Sequence, residues 1–379
     1  MTKRIVCASP DVQNVTAEQI RKIAAMAARA PSGDNTQPWS FVWDGSVLTV
    51  LFDSNRARHV LDAGLSGSKI SLGCVAESAA IAASQFGFAT RCEYLLGTSA
   101  PERPCPAARI SFHYHARPPD PLLDAIEKRT TDRRIFHKGS LPVGELAQIW
   151  ADFDRRESIG VHFAESLAPD LFNFLVAAES LVTRHPAIFP DTLPWIRMTE
   201  RELACTQDGM PWRGTGVRPF EYPVLRLVRA MPALFPLFSR AGMARSYKAR
   251  LRKLLRSSAG LFCVSARGDA ADTLTEAGRL SMRLWLRLAQ LGYGVHPLTL
   301  SSLCLYNFKA GVLDAESVRL FGAGYAKGEG VLRKAFSIPD KNVLVWMFRT
   351  GISSALPPGW ITPRKMLENM LQVAVASVH

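Results

Sequence analysis

Two stretches of this chain carry side chains whose types and spacing can do chemistry. Ala28–Phe41 reads ARAPSGDNTQPWSF, a helix end, then Pro31, then a loop of small and polar residues running into Gln37-Pro38-Trp39. Such a loop offers backbone N–H groups and the side chains of Ser32, Asn35 and Gln37 to the edge of a flat polar ligand. The plainer reading is a capping turn with Trp39 in the core. Lys128–Phe136 reads KRTTDRRIF. Arg129 and Arg133, four residues apart with the Thr131 hydroxyl between them, make a forked phosphate clamp. The same cluster on a solvated helix face is the alternative.

These loops need a scaffold, and the chain repeats itself once. Gly73–Phe88 (GCVAESAAIAASQFGF) matches Gly278–Tyr293 (GRLSMRLWLRLAQLGY) at an offset of 205, with glycines coinciding at both ends. Apolar residues at spacings of three, four and seven predict a helix buried on most of its face in each copy. Each helix leads into an extended segment, Thr90–Leu95 and Val295–Leu300. Upstream, Thr16 and Gln19 form a capping box for a helix carrying Ile20, Ile23, Ala24 and Ala27, and Pro121–Arg129 begins its short counterpart. Strands are expected at Phe41–Trp43, Val47–Asp53 and Ala108–Tyr114, then at Gly160–Phe163, Gly260–Val264 and Val343–Arg349. The second copy must then hold an insertion of about a hundred residues between Phe163 and Leu261.

Composition narrows the class. With 379 residues, 47% of them hydrophobic and 21% charged, the chain is too apolar for intrinsic disorder. It has no run of ~20 uncharged apolar residues to cross a membrane, and its first apolar stretch is too short for a secretory signal. Seven scattered cysteines without a C-x-x-C pair exclude a disulfide framework or zinc site and fit a reducing cytoplasm. Of the net charge of +13, +9 falls between Arg218 and Arg256, where ten basic residues face one acid, Glu221, among many leucines. Residues 218–256 can bind phosphate, lie on an anionic membrane, meet an acidic partner, or be a solvated face on packed helices. No zinc-finger spacing or RNP-like aromatic motif accompanies the charge, so nucleic acid is not an expected partner.

Ala30, Pro31, Ser32, Asn35, Gln37, Pro38, Trp39 and Phe41 together resemble the signature loop of the FMN-dependent nitroreductases. The resemblance implies that Pro31, Ser32, Gly33, Asn35 and Gln37 contact a flavin held mainly by the other half of a dimer. The family's R-R-S-x-R-x-F element normally precedes this loop. Here the similar stretch, Arg129, Thr131 and Arg133, comes after it, in the other repeat, with Thr130 in place of the second arginine. A tandem fusion keeping one signature per half would retain one complete FMN site and one degenerate one. The resemblance further implies that Pro297, Leu298 and Thr299 lie behind the flavin and that Arg364 finishes the phosphate site. His296 either titrates near the flavin or, as a lone His beside a strand more often does, serves the structure. Trp195-Ile196-Arg197 and Asp208-Gly209-Met210-Pro211-Trp212 resemble a run of the duplicated relatives and are expected to border the substrate face.

The expected fold is therefore α+β and nitroreductase-like, two tandem repeats forming an intramolecular pseudo-dimer. Residues 1–120 would be the N-terminal repeat and 121–379 the C-terminal one, with the insertion (about 164–260) as a lid. The expected activity is FMN-dependent electron or hydride transfer to a small nitro-, quinone- or heterocycle-like substrate. The alternative is an FMN store whose lid shuts the flavin away. No side-chain catalyst and no metal are called for, because the flavin carries the electrons. Without a G-x-G-x-x-G motif, NAD(P)H would act as a transient donor. The oligomeric state is a monomer (the pseudo-dimer) or higher.

Overall fold

The structure is a computed structural model that describes residues 14–137, 139–151, 153, 159–267 and 272–373. The first residues and Cys7 lie outside that set. Helix α1 (Ala17–Ala27) opens on the expected capping box, the Thr16 hydroxyl accepting from Gln19 N and the Gln19 side chain accepting from Thr16 N. It buries Ile20, Ile23, Ala24 and Ala27.

The first sheet holds β1 (Trp39–Trp43), β2 (Val47–Phe52), β3 (Phe88–Tyr94) and β4 (Cys105–Tyr114), antiparallel in the order β1-β2-β4-β3. Between β2 and β3 runs α2 (Ser66–Ser84), almost wholly buried. After α3 (Val143–Ala151) comes a second sheet of β5 (Ile159–Ala164), β8 (Gly260–Arg267), β9 (Tyr293–Pro297) and β10 (Asn342–Ile352). Its order, β5-β8-β10-β9, and its antiparallel pairings reproduce those of the first. Its counterpart of α2 is α7 (Thr273–Gln290), between β8 and β9, and α2 and α7 pack on each other.

By position before the sheet, α3 is the partner of α1. The expected partner, Pro121–Arg129, holds only one helical turn, Ala125–Lys128. The extended segment expected at Val295–Leu300 ends at Pro297, and Thr299 begins a helix, α8 (Thr299–Lys309). With α9 (Ala315–Phe336), α8 fills a second long connection, from β9 to β10, where the first half has ten residues between β3 and β4. The C-terminal strand β11 (Leu371–Val373) crosses back to pair in parallel with β1, so the end of the chain closes the sheet of the first half.

The insertion between β5 and β8 carries α4 (Pro169–Glu179), the two-residue parallel strands β6 (Ile196–Arg197) and β7 (Met210–Pro211), α5 (Tyr222–Ala230) and α6 (Ala244–Arg256). It has a small core of its own around Leu193, Ile196, Met210, Leu225, Val228 and Phe235. Leu251 and Leu255 of α6 instead join α4 and α8 in the core of the second half. Among the described residues no helix is long and apolar enough to cross a membrane, and the six described cysteines are free.

Candidate active site

A cavity of about 670 Å³ opens where the two halves and the insertion meet. Ile70, Ser71 and Cys74 of α2 and Ser281 and Trp285 of α7 form its floor. Of the twelve residues expected at the flavin, seven line it together: Pro31, Ser32, Gly33, Thr131, Arg133, Pro297 and Thr299. The insertion supplies an apolar wall that includes Val224, Leu225, Val228, Phe235 and Phe238. Burial pushes the Cys74 thiol up to about 12, so it brings no thiolate chemistry to the cavity.

The loop over this cavity is held in a sterically costly shape. Asp34, Asn35 and Gln37 all have positive φ, at 49°, 55° and 49°, which Asn and Asp tolerate better than Gln. Ser32 Oγ accepts the Gln37 N–H at 3.0 Å and ties the loop's ends together. Sequence alone offers the Asn35 and Gln37 amides to a ligand; in the structure both are taken up within the protein. Asn35 Nδ2 donates to the carbonyls of Gly209 and Pro363, and its Oδ1 accepts from Arg364 at 2.6 Å. Gln37, fully buried, donates to Gln207 O and accepts from Lys365 N. Both amides bolt the loop to the insertion and to the C-terminal tail.

The expected Trp195–Arg197 and Asp208–Trp212 border is that anchor. Asp208 pairs with Arg197 at 2.5 Å and Arg56 at 2.6 Å. Gly209, at φ +69°, sits so close to the Trp195 carbonyl that a Cβ would come within 2.4 Å of it.

Neither Arg129 nor Arg364 lines the cavity; they stand beside it. Arg129 lies over the Trp285 ring, 4.6 Å from its centroid. The guanidiniums of Arg129 and Arg364 both donate to one carbonyl oxygen, that of Arg29, at 3.0 and 3.2 Å. No carboxylate pairs with Arg29, Arg129 or Arg364 among the described residues. The buried Nε atoms of all three have no hydrogen-bond partner. Burial and the neighbouring cations push Arg364 well below its ordinary value, and burial pushes Arg129 down to about 10. Three convergent guanidiniums with unspent donors are held at an electrostatic cost that an anion would relieve.

Across the cavity, Arg349 is fully buried and opposite His296 in the β10–β9 register. Its Nε donates to His296 Nδ1 at 3.0 Å, while its other nitrogens donate to Leu254 O and Arg134 O. An acceptor Nδ1 places the ring proton on Nε2. Burial, then the charge of Arg349, pushes His296 well below its ordinary value. His296 is thus a fixed neutral donor near neutral pH, the structural one of the two readings its place beside a strand offers. Leu298 is likewise taken up within the fold: its side chain is buried in the core and its N–H donates to Met347 O at 2.9 Å.

Sequence reasoning missed Arg29, Trp285, Tyr247, Arg250 and Glu179. Arg29 stands inside the Ala28–Phe41 stretch, but its role depends on Arg364, some three hundred residues away. Trp285 occupies an apolar position of the α7 pattern, which reads as core.

A second, smaller cavity of about 340 Å³ lies at positions related to the first by the 205-residue offset. Ala80, Arg279 and Glu276 line it where Trp285, Cys74 and Ser71 line the first. It is crossed by an ion-pair network: Glu77 bridges Arg279 (2.8 Å) and Arg283 (2.9 Å), and Arg283 also reaches Asp120 at 2.9 Å.

No known protein-family model matches the sequence. The chain is 24% identical over 324 residues to a curated protein of Serratia sp. (strain ATCC 39006) named probable NAD(P)H nitroreductase PigM, covering 82% of this chain and 87% of that one. Among solved structures, it is similar to an FMN-bound nitroreductase of Desulfitobacterium hafniense DCB-2, at 10% identity and a TM-score of 0.37, covering 68% of this chain and 99% of that one. It is likewise similar to the FMN-dependent nitroreductase NfnB of Mycobacterium smegmatis, at 11% identity and a TM-score of 0.37, covering 67% and 100%.

Proposed function

We propose that this chain is an FMN-dependent oxidoreductase of nitroreductase type, a fused pseudo-dimer with one flavin site, that reduces small organic substrates with NAD(P)H as transient donor. The observation that carries the reading is the three-arginine cradle beside the cavity. Its unspent Nε donors and lack of any acid fit a phosphate monoester, and the cavity beside it has room for a flat ring system. In this reading Arg29, Arg129 and Arg364 hold the phosphate. Pro31, Ser32 and Gly33 form one side of the ring site, and Thr131, Arg133, Pro297 and Thr299 the other. Asn35, Gln37 and Leu298 position these segments without touching the ligand. FMN, once bound, supplies two-electron chemistry; the protein orients the partners and keeps water out with the insertion's apolar wall.

The matching strand orders of the two sheets support tandem duplication. The ion-pair network in the offset-related cavity supports a single flavin, since Arg279 and Glu276 stand where the first cavity has Cys74 and Ser71. Apolar space beyond the ring site favours an enzyme over a flavin store. Anaerobic mixing with NAD(P)H tests this: the flavin should bleach, and an added nitro or quinone acceptor should restore it. A flavin bleached by dithionite but never by NADH or NADPH contradicts it.

The outer face of residues 218–256 supports a further role. Leu227, Met231 and Leu237 are exposed, among exposed cations that include Arg226, Arg240, Arg245 and Lys248. This mixture suits peripheral attachment to anionic lipid. Salt-sensitive co-sedimentation with anionic but not neutral vesicles is expected; equal recovery from both removes this role.

A further inference from the structure

Four carboxylic side chains line the large cavity: Asp34, Asp62, Glu179 and Glu221. Three are engaged locally. Asp34 faces His59 at 3.7 Å, Glu221 pairs with Arg218 at 2.7 Å, and the two oxygens of Asp62 accept the N–H and hydroxyl of Ser68. Glu179 differs. It ends α4, is 5% exposed, and has no cationic partner among the described residues. Its Oε1 accepts both the N–H and the hydroxyl of Ser301, at 2.8 and 2.7 Å, in the first turn of α8. That turn begins at Thr299, two residues after Pro297, and both belong to the proposed flavin site. The carboxyl is thus fixed from another element, at the edge of the ring site, facing a largely apolar space.

We propose that Glu179 is the proton donor of the cavity, a reading that rests on the flavin function above. When a substrate double bond takes two electrons and one proton, as a hydride equivalent, from reduced flavin at one atom, the O–H bond of Glu179 breaks. Its proton forms the new bond at the other atom. The flavin is oxidised, the substrate is reduced, and the carboxylate left behind regains a proton from solvent.

The surroundings favour a protonated carboxyl at neutral pH. The titratable groups facing Glu179 are Tyr247 of α6, Cys304 of α8 and Tyr325 of α9, and Tyr247 also faces Arg133 and Arg250. Burial pushes all three upward, Cys304 to about 12, so they stay neutral. Burial likewise pushes Glu179 up to about 7, against the opposing effect of the Ser301 hydrogen bonds. Of this group it alone changes charge near neutrality; Asp62, on the same cavity, is pushed up by burial only to about 6 and is mostly ionised at pH 7.

The test uses full-length protein, with FMN binding measured first by fluorescence quenching for wild type, Glu179→Gln and Ser301→Ala. Glutamine still accepts both Ser301 bonds but carries no acidic proton. Reoxidation of the reduced flavin by menadione, a quinone, should slow as pH rises through about 7 in wild type. In Glu179→Gln it should be at least about 10-fold slower below that pH, and flat, with FMN affinity unchanged. Infrared titration of flavin-free protein should show a protonated-carboxyl band lost near pH 7, absent from Glu179→Gln. Ser301→Ala removes a bond that favours the charged form, so its midpoint should move up; this variant decides the matter if Glu179→Gln does not fold. An unchanged rate and pH profile in Glu179→Gln, an unmoved midpoint in Ser301→Ala, or no such band overturns the assignment. Failure of wild type to bind FMN overturns the flavin reading instead.

Discussion

Gly73 and Gly278 are each other's contact point where α2 crosses α7. A Cβ on Gly73 would lie 1.9 Å from the carbonyl oxygen of Thr275, and one on Gly278 would lie 2.1 Å from that of Ile70. Each glycine meets the residue three positions before the other, the reciprocal contact of a twofold interface. Here it is made within one chain, between the two helices that floor the cavity. Gly73→Ala should therefore destabilise by about 1–3 kcal/mol or more through overpacking against backbone. Gly330→Ala, in α9 with nothing within 4 Å of the new methyl, should stabilise by about 0.4–1 kcal/mol. Urea denaturation of both variants checks the contrast.

The arginine cradle predicts an anion effect in the flavin-free protein. Inorganic phosphate should raise the melting temperature at constant ionic strength, because a ligand bound only by the folded state stabilises it. Arg364→Ala should remove most of that rise. It should also weaken FMN binding about 10- to 150-fold, the value of a charge-assisted hydrogen bond of roughly 1.5–3 kcal/mol. An equal phosphate response in wild type and variant would place the anion elsewhere.

Asn35→Ala should lower stability even without flavin. The variant takes the Asn35 amide from the Gly209 carbonyl and removes one hydrogen bond each from Pro363 O and the Arg364 guanidinium. Unpaired groups of this kind cost about 1–3 kcal/mol. Thermal denaturation of the flavin-free protein reads this directly; an unchanged melting point would free Asn35 for a ligand.

Two buried groups tilt stability with pH in opposite directions. Glu179, raised from 4.5 to about 7 in the folded chain, contributes stability that is complete below pH 4.5 and lost as pH rises through 7. His296, held far below 6.5, leaves the unfolded chain to bind the proton, so stability falls as pH drops below 6.5. Between pH 5 and 7 the two partly cancel. Glu179→Gln should uncover the His296 slope, making stability rise more steeply with pH across that window in chemical denaturation. A curve parallel to that of wild type would contradict the Glu179 assignment, and a stability that does not rise with pH in the variant would contradict that of His296.

Much of this was legible in the sequence because it is local. The capping box at Thr16, the helices around Gly73 and Gly278, the β strands and the Pro31–Gly33 loop all follow from short-range pattern. So does an insertion between Phe163 and Leu261, whose helices wall the cavity. What escaped depends on distant partners. The amides of Asn35 and Gln37 look available until the tail returns with Arg364 and Lys365. Leu298 looks like a ligand contact until its N–H meets Met347. The helices α8 and α9 have no counterpart in the first half, so the repeat gives no sign of them, although 44 residues separate Pro297 from Asn342. Glu179 looks like any helix-end glutamate until Ser301 fixes it.

Flavin stoichiometry tests the central claim most directly. Protein saturated with FMN, freed of excess by gel filtration and then denatured should release one FMN per chain, measured by absorbance against protein concentration. One flavin is expected because, among the described residues, the three-arginine cradle and the Pro31–Gly33 loop occur once, while Arg279, Glu77 and Arg283 cross the offset-related cavity. Two flavins per chain, or none retained, would contradict the account.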